Sequence, residues 1–352
     1  MAVLCRLSNP SQYVACQWDL IADEPARRYW LDHFARHSQT VVSLIRQQLG
    51  GDAEPRIEAF QRDLAALLGR MERQPHSFGE LTILTLDEQR EALLRRHGFD
   101  DPFAQIKRRE DEAALAQYPR LLEDLQLYHG KQLLERLVCG VFAGNVFDLG
   151  SIATMRAYQG GGFDFFATRA AQRPRPWLVD DFDSLAERLD GHRRPYRQAL
   201  FFVDNAGPDL ILGCLPLARQ LGLWGTRVVL AANSRPSLND VTAAELQAVL
   251  RQVRQMDRVV ADLLDARHLS VVPSGCSTPL IDLSRISQAC NEAARQSDLI
   301  ILEGMGRSVE SNYEARFDCD CLKLALLKDP AVAERLGGRV FDAVCKFEPA
   351  RR

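Results

Sequence analysis

The stretch that decides the fold is FFVDNAGPD, at residues 201–209. An apolar run at 199–203 predicts a buried strand of a parallel sheet, and this run stops abruptly at two oxygen-bearing side chains, Asp204 and Asn205. Glycine and proline follow and predict a turn, after which a helical pattern begins. This order of strand, acidic tip, turn and helix is typical of an open α/β sheet that presents a ligand at the carboxyl end of a strand.

Asp204 and Asn205 allow two interpretations. A carboxylate and an amide carbonyl are hard oxygen ligands that suit Mg²⁺ or Mn²⁺. Either side chain could instead cap the helix that follows the turn. The stretch alone favours neither interpretation.

The composition is that of an ordinary soluble globular protein. Of the 352 residues, 46% are hydrophobic and 26% are charged, which is enough for one large or two ordinary domains. The net charge of −3 gives no indication of a nucleic acid or an acidic membrane surface as a partner. The apolar runs are too short to span a bilayer, and the N-terminus lacks the apolar core of a secretory signal. Nine scattered cysteines favour a reducing, cytoplasmic compartment.

Hydrophobic periodicity divides the chain into three parts. Residues 1–150 predict an all-helical subdomain, residues 151–198 a connector, and residues 199–352 an α/β domain with a mainly parallel, doubly wound sheet flanked by helices. Strands are predicted at 199–204, 226–232, 269–273, 298–303 and 339–345, with a further strand near 322–327. Helices are predicted at 24–49, 55–72, from 101 onward and 131–143, and then at 208–222, 242–266, 283–296 and 329–336.

Polar side chains follow each predicted strand. Because parallel strands end at one edge of a sheet, we expect these tips to converge. Each tip alone could be a helix cap, but together they favour a divalent metal that polarises a phosphoryl oxygen, with cations that balance the developing charge. In chain order the tips carry Asp204 and Asn205, then Asp240, then Ser274 in a small-residue loop, then Glu303 and Arg307, and last Lys346.

Other motifs are weaker or exclude classes of protein. The glycine run at 160–162 fits neither a P-loop nor a dinucleotide motif. His33 and His37 are four residues apart on the first helix, but no third ligand is near in sequence, so a packing role is favoured over metal binding. No G-x-G-x-x-G follows the first strand and no G-x-S-x-G elbow occurs, which disfavours a dehydrogenase and a serine hydrolase.

Several strings resemble the metal-dependent damage-control phosphatase family, and in particular the subgroup of the plant 4′-phosphopantetheine phosphatase and the C-terminal domain of animal pantothenate kinase 4. The EGMGR string is specific to this subgroup. The resemblance covers nearly all of the chain from about residue 100 onward. The matching strings are AGNVFD at 143–148, VDNAG at 203–207, LAANS at 230–234, LNDVT at 238–242, EGMGR at 303–307 and KFE at 346–348.

The resemblance implies a helical N-terminal part packed on a Rossmann-like α/β domain, with one divalent metal at the strand tips. The implied metal ligands are Asp204, Asn205 and Asp240, and the implied metals are Mn²⁺, Co²⁺ or Ni²⁺, with Mg²⁺ as a further candidate. The implied activity is hydrolysis of a small-molecule phosphate ester, 4′-phosphopantetheine, and of its oxidised, sulfonate-type forms, which is a damage-control step in coenzyme A metabolism.

The resulting hypothesis is a metal-dependent phosphomonoesterase. Its predicted catalytic residues are Asp204, Glu303, Arg307 and Lys346, and the predicted substrate contacts are Asn145, Asp148, Ser274 and Arg307. The attacking nucleophile is either water or Asp204 itself.

Two residues depart from the family pattern, and other functions stay open. Ala206 stands where serine is common, and Arg235 stands where relatives have glycine or an apolar residue. The alternatives are a sugar-phosphate phosphatase of the same fold, a non-catalytic regulatory relative, and a Rossmann-type methyltransferase. The last is disfavoured because the first strand tip is not a glycine-rich cofactor loop.

Overall fold

The computed structural model of the protein describes residues 1–146, 164–189 and 196–350. Asp148, which we predicted to contact the substrate, and the glycine run at 160–162 lie outside the described residues. No described helix combines the length and the apolar character that crossing a bilayer requires.

The described residues contain one sheet of seven strands. Their bounds are β1 Val179–Asp180, β2 Gln198–Phe202, β3 Arg227–Ala232, β4 Leu269–Pro273, β5 Leu299–Glu303, β6 Asp320–Leu326 and β7 Ala343–Glu348. Across the sheet the order is β1-β7-β6-β5-β2-β3-β4, and each neighbouring pair is parallel except β6 with β7. The predicted α/β fold with a mainly parallel sheet is therefore confirmed.

The strand order reverses between β2 and β5. From β2 the chain continues to β3 and β4 on one side, and it then crosses to β5 on the other side. A crevice forms where neighbouring strands send their connections in opposite directions, and ligands of open α/β sheets bind there, beyond the carboxyl ends of the strands. The topology therefore predicts a site between the loops that follow β2 and β5.

The last predicted strand is corrected in position and direction. It was expected as a parallel strand at 339–345, whereas β7 begins at Ala343 and is antiparallel to β6. Hydrogen bonds join the two ends of the segment between β6 and β7. The Leu327 amide donates to the Asp342 carbonyl, and the Phe341 amide donates to the Leu327 carbonyl. Such pairing turns the chain back as in a hairpin. The further strand predicted near 322–327 is real and is β6.

The helices surround the sheet on both faces. Their bounds are α1 Glu24–Leu49, α2 Glu54–Arg73, α3 Ile83–Arg96, α4 Ala104–Leu125, α5 Gly130–Asn145, α6 Phe165–Ala170, α7 Phe182–Leu189, α8 Leu215–Leu223, α9 Ala243–Met256, α10 Arg258–Asp265, α11 Gln288–Gln296 and α12 Pro330–Arg335. The N-terminal part is helical, as predicted. The region 164–189, within the predicted connector, contributes α6, β1 and α7.

Two helix predictions need correction. Helix α3 was not predicted; it begins at a reciprocal cap in which the Thr82 hydroxyl accepts from the Thr85 amide and the Thr85 hydroxyl accepts from the Thr82 amide. The single helix expected at 242–266 is two helices, α9 and α10. The chain leaves helical geometry at Asp257, whose carboxylate caps α10 by accepting from the Val259 and Val260 amides.

Short π-helical segments follow both strands at the reversal point. They are Asp209–Cys214 after β2 and Met305–Glu310 after β5. The first packs backbone to backbone on α5, because a Cβ at Gly144 would lie 2.8 Å from the Asp209 Cα and one at Gly213 would lie 3.1 Å from the Val141 Cα. This close approach brings the end of α5, and with it Asn145, to the strand edge.

The helical part and the sheet share their hydrophobic cores. One cluster joins residues of α4 and α5 to strands β2, β3, β5 and β6. A second joins α1 and α3, through Trp30, Phe34 and Ile83, to Leu280 and Met305 of the loops beyond the strands. The N-terminal helices are therefore held against the carboxyl edge of the sheet by apolar burial.

Candidate active site

Two carboxylates and an amide form the floor of a cleft at the carboxyl edge of the sheet. Asp204 and Asn205 come directly after β2, and the loop after β3 brings Asp240 beside them. The two loops are tied together, because the Val241 amide donates to the Asp204 carbonyl at 3.0 Å and Asn205 forms an antiparallel bridge with Asp240. All three side chains line one cleft.

Arg307 joins the two carboxylates. Its Nη1 forms an ion pair with Asp204 Oδ1, and its Nη2 lies 2.9 Å from Asp240 Oδ2. Nη2 also donates to Asn233 Oδ1 at 3.2 Å, and Nη1 donates to the Pro279 carbonyl at 3.3 Å. Arg307 is 2% exposed, so the guanidinium fork balances two buried negative charges. The predicted convergence of Asp204, Asn205, Asp240 and Arg307 is present in the structure.

The glycine that follows β5 is needed at this point of close approach. Gly304 has φ of 96°, which residues with a side chain rarely adopt. A Cβ there would lie 2.8 Å from the Asp204 Cβ and would overlap its carboxylate. The EGMGR string therefore uses its first glycine to bring the β5 loop against Asp204.

Hydrogen bonds fix the orientation of Asn205. Its amide nitrogen donates to Asp204 Oδ2 at 3.0 Å and to Asp209 Oδ2 at 2.8 Å. Within the described part of the chain, the Asn205 Oδ1 atom receives no hydrogen bond. Together with the oxygens of Asp204 and Asp240 it forms a set of hard oxygen donors on the cleft floor. This donor set fits a divalent metal ion such as Mg²⁺ or Mn²⁺.

A buried polar network lies behind the floor. The Asn145 amide nitrogen donates to Asp209 Oδ2 at 2.9 Å and to Glu303 Oε1 at 2.8 Å, and Lys328 Nζ donates to Asn145 Oδ1 at 3.0 Å. Glu303 Oε2 accepts from the Asp204 amide at 3.0 Å. Asn145 and Glu303 therefore support the floor from behind. Neither lines the cleft, so their positions do not support the predicted substrate contact by Asn145 or the predicted catalytic role of Glu303.

This network contains a second group of metal-type donors. Ligand atoms of Asp209, Cys214 and Glu303 lie within 4.8 Å of one another, and all three residues are buried. Burial raises the pKa of Glu303 well above its usual range, with the charge of Asp209 as a further cause, and burial also raises the pKa of Asp209. Three oxygens of the two carboxyl groups already accept hydrogen bonds from side chains or backbone. The floor lines the open cleft, whereas this group is closed, and both offer donors of the kind that metal ions bind.

Helices α1 and α3 form the opposite wall of the cleft. His33 and His37, which we expected to have a packing role, both lie on this wall. Arg90 is buried there, with its Nη2 atom 2.7 Å from Asp87 Oδ1, and burial raises the pKa of Asp87 to about 7. The lining residues outside the floor are Trp30, His33, Phe34, His37, Ile83, Asp87, Arg90, Leu238, Pro279, Leu280, Met305, Gly306, Glu310 and Asp329.

The structure does not bring two of the predicted residues to the cleft. Lys346 lies inside β7, where its Nζ donates to the Tyr313 carbonyl at 2.8 Å, so the expectation that it follows a strand at the same edge is wrong. The error came from treating β7 as parallel. Ser274 follows β4, and its hydroxyl accepts from the Cys276 amide at 3.1 Å, within its own turn. Its position therefore does not support a substrate contact.

Fold and site together define a class of protein. A reversal point in a mainly parallel sheet carries hard oxygen donors and a buried guanidinium, and this combination is suited to metal-assisted chemistry on an anionic ester. The chain belongs to the damage-control phosphatase ARMT1-like family, whose domain matches residues 34–344. The family is metal-dependent, and the resemblance inferred from the sequence is confirmed.

Two named relatives and one solved structure extend this result. The chain is 40% identical over 372 residues to pantothenate kinase 2 of Arabidopsis thaliana. This alignment covers 97% of this chain and 41% of that protein. It is 33% identical over 394 residues to the 4′-phosphopantetheine phosphatase of Mus musculus. That alignment covers 97% of this chain and 48% of the mouse protein. The chain thus spans about two fifths to one half of the length of these relatives.

The solved structure is a DUF89 family protein (PH1575) from Pyrococcus horikoshii. It superposes with a TM-score of 0.64 at 20% identity and covers 90% of this chain and 96% of its own. This similarity shows the fold. Family membership gives the class of protein, and the mouse relative bears the name of a phosphatase.

Proposed function

We propose that the chain is a metal-dependent phosphomonoesterase that hydrolyses 4′-phosphopantetheine and its oxidatively damaged, sulfonate-type forms. The observation that carries this proposal is the convergence of Asp204, Asn205 and Asp240 on one cleft floor, where the buried Arg307 joins the two carboxylates. The substrate is supported by the similarity to the mouse 4′-phosphopantetheine phosphatase. The activity would remove damaged precursors from coenzyme A metabolism.

Asp204, Asn205 and Asp240 would hold the metal. A bound Mn²⁺, Co²⁺, Ni²⁺ or Mg²⁺ ion would supply a Lewis acid for a phosphoryl oxygen. Arg307 lies between the two carboxylates, with both of its Nη atoms paired, so it would hold Asp204 and Asp240 in place and balance their charge.

Asp204 serves better as a ligand than as the nucleophile. Its Oδ1 is paired with Arg307, and its Oδ2 accepts from Asn205 at 3.0 Å and from Asn145 at 3.4 Å. A nucleophilic oxygen would have to leave these partners during the reaction. We therefore propose that water is the attacking nucleophile.

The cleft wall favours a pantetheine ester over a sugar phosphate. Apolar and aromatic side chains line part of the cleft, and the hydroxyl groups of a polyol would gain nothing from packing against them. The branched hydrocarbon next to the phosphate of 4′-phosphopantetheine would bury apolar surface there instead. These side chains are Trp30, Phe34, Ile83, Leu238, Leu280 and Met305.

We also propose that the protein works in a reducing, cytoplasmic compartment on a small-molecule substrate, without nucleic acid. All nine cysteines are free thiols. Cysteines in an oxidising compartment are usually paired.

A substrate panel tests the function. Phosphate release is measured from 4′-phosphopantetheine, its sulfonate and several sugar phosphates, with Mn²⁺, Co²⁺, Ni²⁺, Mg²⁺ or EDTA. We expect metal-stimulated release that is fastest with the pantetheine esters. Faster release from sugar phosphates would remove the substrate assignment, and no metal-stimulated release from any ester would remove the enzyme assignment.

A further inference from the structure

The wall of the cleft carries a histidine–carboxylate pair that the proposed function does not yet use. His33 of α1 lines the cleft, and its Nδ1 atom lies 3.6 Å from Asp329 Oδ2. The two side chains are 16% and 6% exposed, so the pair is largely shielded from water. It faces the floor on which the phosphate is proposed to bind.

Asp329 is held in place by three hydrogen bonds. Its Oδ1 caps α12 by accepting from the Ala331 amide at 2.8 Å and the Val332 amide at 3.2 Å. Its Oδ2 accepts from the Tyr29 hydroxyl at 2.7 Å. Pro330 occupies the first helical position and fixes the backbone beside the cap. Both oxygens thus act as acceptors, and the carboxylate presents a fixed negative charge to His33.

This environment selects one form of the imidazole. Burial lowers the pKa of His33, and the nearby charges of Arg36 and Arg90 lower it further, whereas Asp329 and Asp32 raise it. The neutral ring is therefore favoured near pH 7. A neutral imidazole carries one proton, and the Asp329 carboxylate favours that proton on Nδ1. The Nε2 atom is then a hydrogen-bond acceptor.

Aromatic rings hold the plane of the imidazole. The centroid of Trp30 lies 5.4 Å from that of His33, and His37 stacks on His33 at 6.4 Å with an interplanar angle of 17°. The ring centroids of Tyr29 and Phe34 each lie 6.3 Å from that of His33. A ring held on several sides offers its acceptor in one direction, which is what recognition of a donor requires.

We propose that His33 Nε2 accepts a hydrogen bond from a hydroxyl or amide N–H of the alcohol that the phosphatase releases. His33 is thus a specificity-determining residue, and Asp329 is its positioning residue. This inference rests on the proposed function. In 4′-phosphopantetheine a branched, apolar carbon follows the ester, and a hydroxyl and an amide come next. The apolar wall suits the first group and the His33 acceptor suits the second.

Two esters that differ in the donor groups test the proposal. Neopentyl phosphate has the same branched carbon beside the ester as 4′-phosphopantetheine but lacks the hydroxyl and the amides. We expect His33→Phe, which keeps a ring but removes the acceptor, to lower kcat/KM for 4′-phosphopantetheine about tenfold more than for neopentyl phosphate, mainly through KM. His33→Gln, which can offer an amide oxygen near the position of Nε2, should restore part of the preference.

A second histidine–carboxylate pair supplies the matched control. His97 Nε2 lies 3.0 Å from Asp63 Oδ2, and His97 is not among the residues that line the cleft. His97→Phe should leave the ratio of the two kcat/KM values unchanged. Because the readout is a ratio, general loss of folded protein lowers both values and does not mimic the effect.

The outcomes separate the two proposals. If the wild type hydrolyses both esters and His33→Phe keeps their kcat/KM ratio, the assignment of His33 is overturned and the function stands. If His33→Gln behaves as His33→Phe does, the acceptor role is also overturned. If the wild type releases no phosphate from 4′-phosphopantetheine, the proposed function and the assignment of His33 fail together.

Discussion

The floor and the wall of the cleft are built in different ways. The floor consists of charged and amide side chains in the loops that follow strands β2, β3 and β5. The wall comes from α1 and α3, which reach the site because apolar residues pack against the loops beyond the strands. In the proposed function, the floor supplies metal-assisted chemistry on the phosphate, and the wall contacts the rest of the substrate. Changes to the floor should therefore affect turnover of every ester, whereas changes to the wall should affect the choice among esters.

The largest expected effect comes from removing a floor carboxylate. Asp204→Asn keeps the shape of the side chain but removes one negative charge from the proposed metal donors. The same change removes the charged partner of Arg307 at this position. We expect kcat to fall by about 10³-fold for every phosphate ester, because transition-state charge loses its preorganised partners. Phosphate-release kinetics with saturating Mn²⁺ measure this. As a control, Asp265→Asn changes an exposed carboxylate, which is 64% exposed, and should keep wild-type rates. A substrate-dependent loss in Asp204→Asn would contradict the division between floor and wall.

Arg307→Lys should have the next largest effect. Lysine keeps the positive charge but has no planar fork, so it cannot hold Asp204 and Asp240 at the same time. We expect kcat/KM to fall by about 10²-fold, again for all esters alike, because the floor carboxylates lose their fixed positions. The measurement is steady-state kinetics on 4′-phosphopantetheine and on neopentyl phosphate. Unchanged kinetics in Arg307→Lys would mean that the floor does not need the fork of Arg307 to hold the two carboxylates.

A pair of glycine variants tests how tightly the β5 loop approaches the floor. Gly304 and Gly337 both have positive φ, at 96° and 72°, but only a Cβ at Gly304 would overlap a neighbour, Asp204. Gly337→Ala should cost about 1 kcal/mol of unfolding free energy through backbone strain alone. Gly304→Ala should cost at least about 2 kcal/mol more, because the floor must move. Chemical denaturation measures both free energies, and equal costs would show that the approach is not tight.

The smallest expected effect is a pH dependence that originates in the wall. Burial raises the pKa of Asp87 to about 7 from its usual value of 3.8. The unfolded chain therefore loses this proton at lower pH than the folded chain, and the unfolding free energy falls as pH rises from about 4 to about 7. Asp87→Asn lacks this titration. The variant's unfolding free energy minus that of the wild type should increase by about 1 kcal/mol or more between pH 5 and pH 8. A flat or decreasing difference would contradict the raised pKa.

The difference between floor and wall also explains what the sequence could predict. Asp204, Asn205, Asp240 and Arg307 were predictable because each follows a strong apolar strand pattern, and parallel topology brings such tips to one edge. The same rule gave a wrong position for Lys346, because β7 is antiparallel to β6. The direction of a strand depends on its pairing with distant segments, which no local pattern of β7 encodes.

The wall was missed for a different reason. His33 and His37 were seen, but their spacing on one helix could not show what α1 packs against. Helix α3, with Asp87 and Arg90, had a usable signal in the threonine cap at Thr82 and the apolar residues that follow it. Asp209 fell within the helix predicted at 208–222 and was given no role, whereas its contacts to Asn145 and Asn205 depend on the close approach of two backbones at Gly144 and Gly213.

The central claim is that the floor residues hold one divalent metal ion in the cleft. Calorimetric titration of the metal-stripped chain with Mn²⁺ tests this most directly, with the wild type compared with Asp240→Asn. We predict that the wild type binds about one Mn²⁺ per chain and that Asp240→Asn binds at least about tenfold more weakly. Equal affinity in the two proteins, or no binding to the wild type, would contradict the claim.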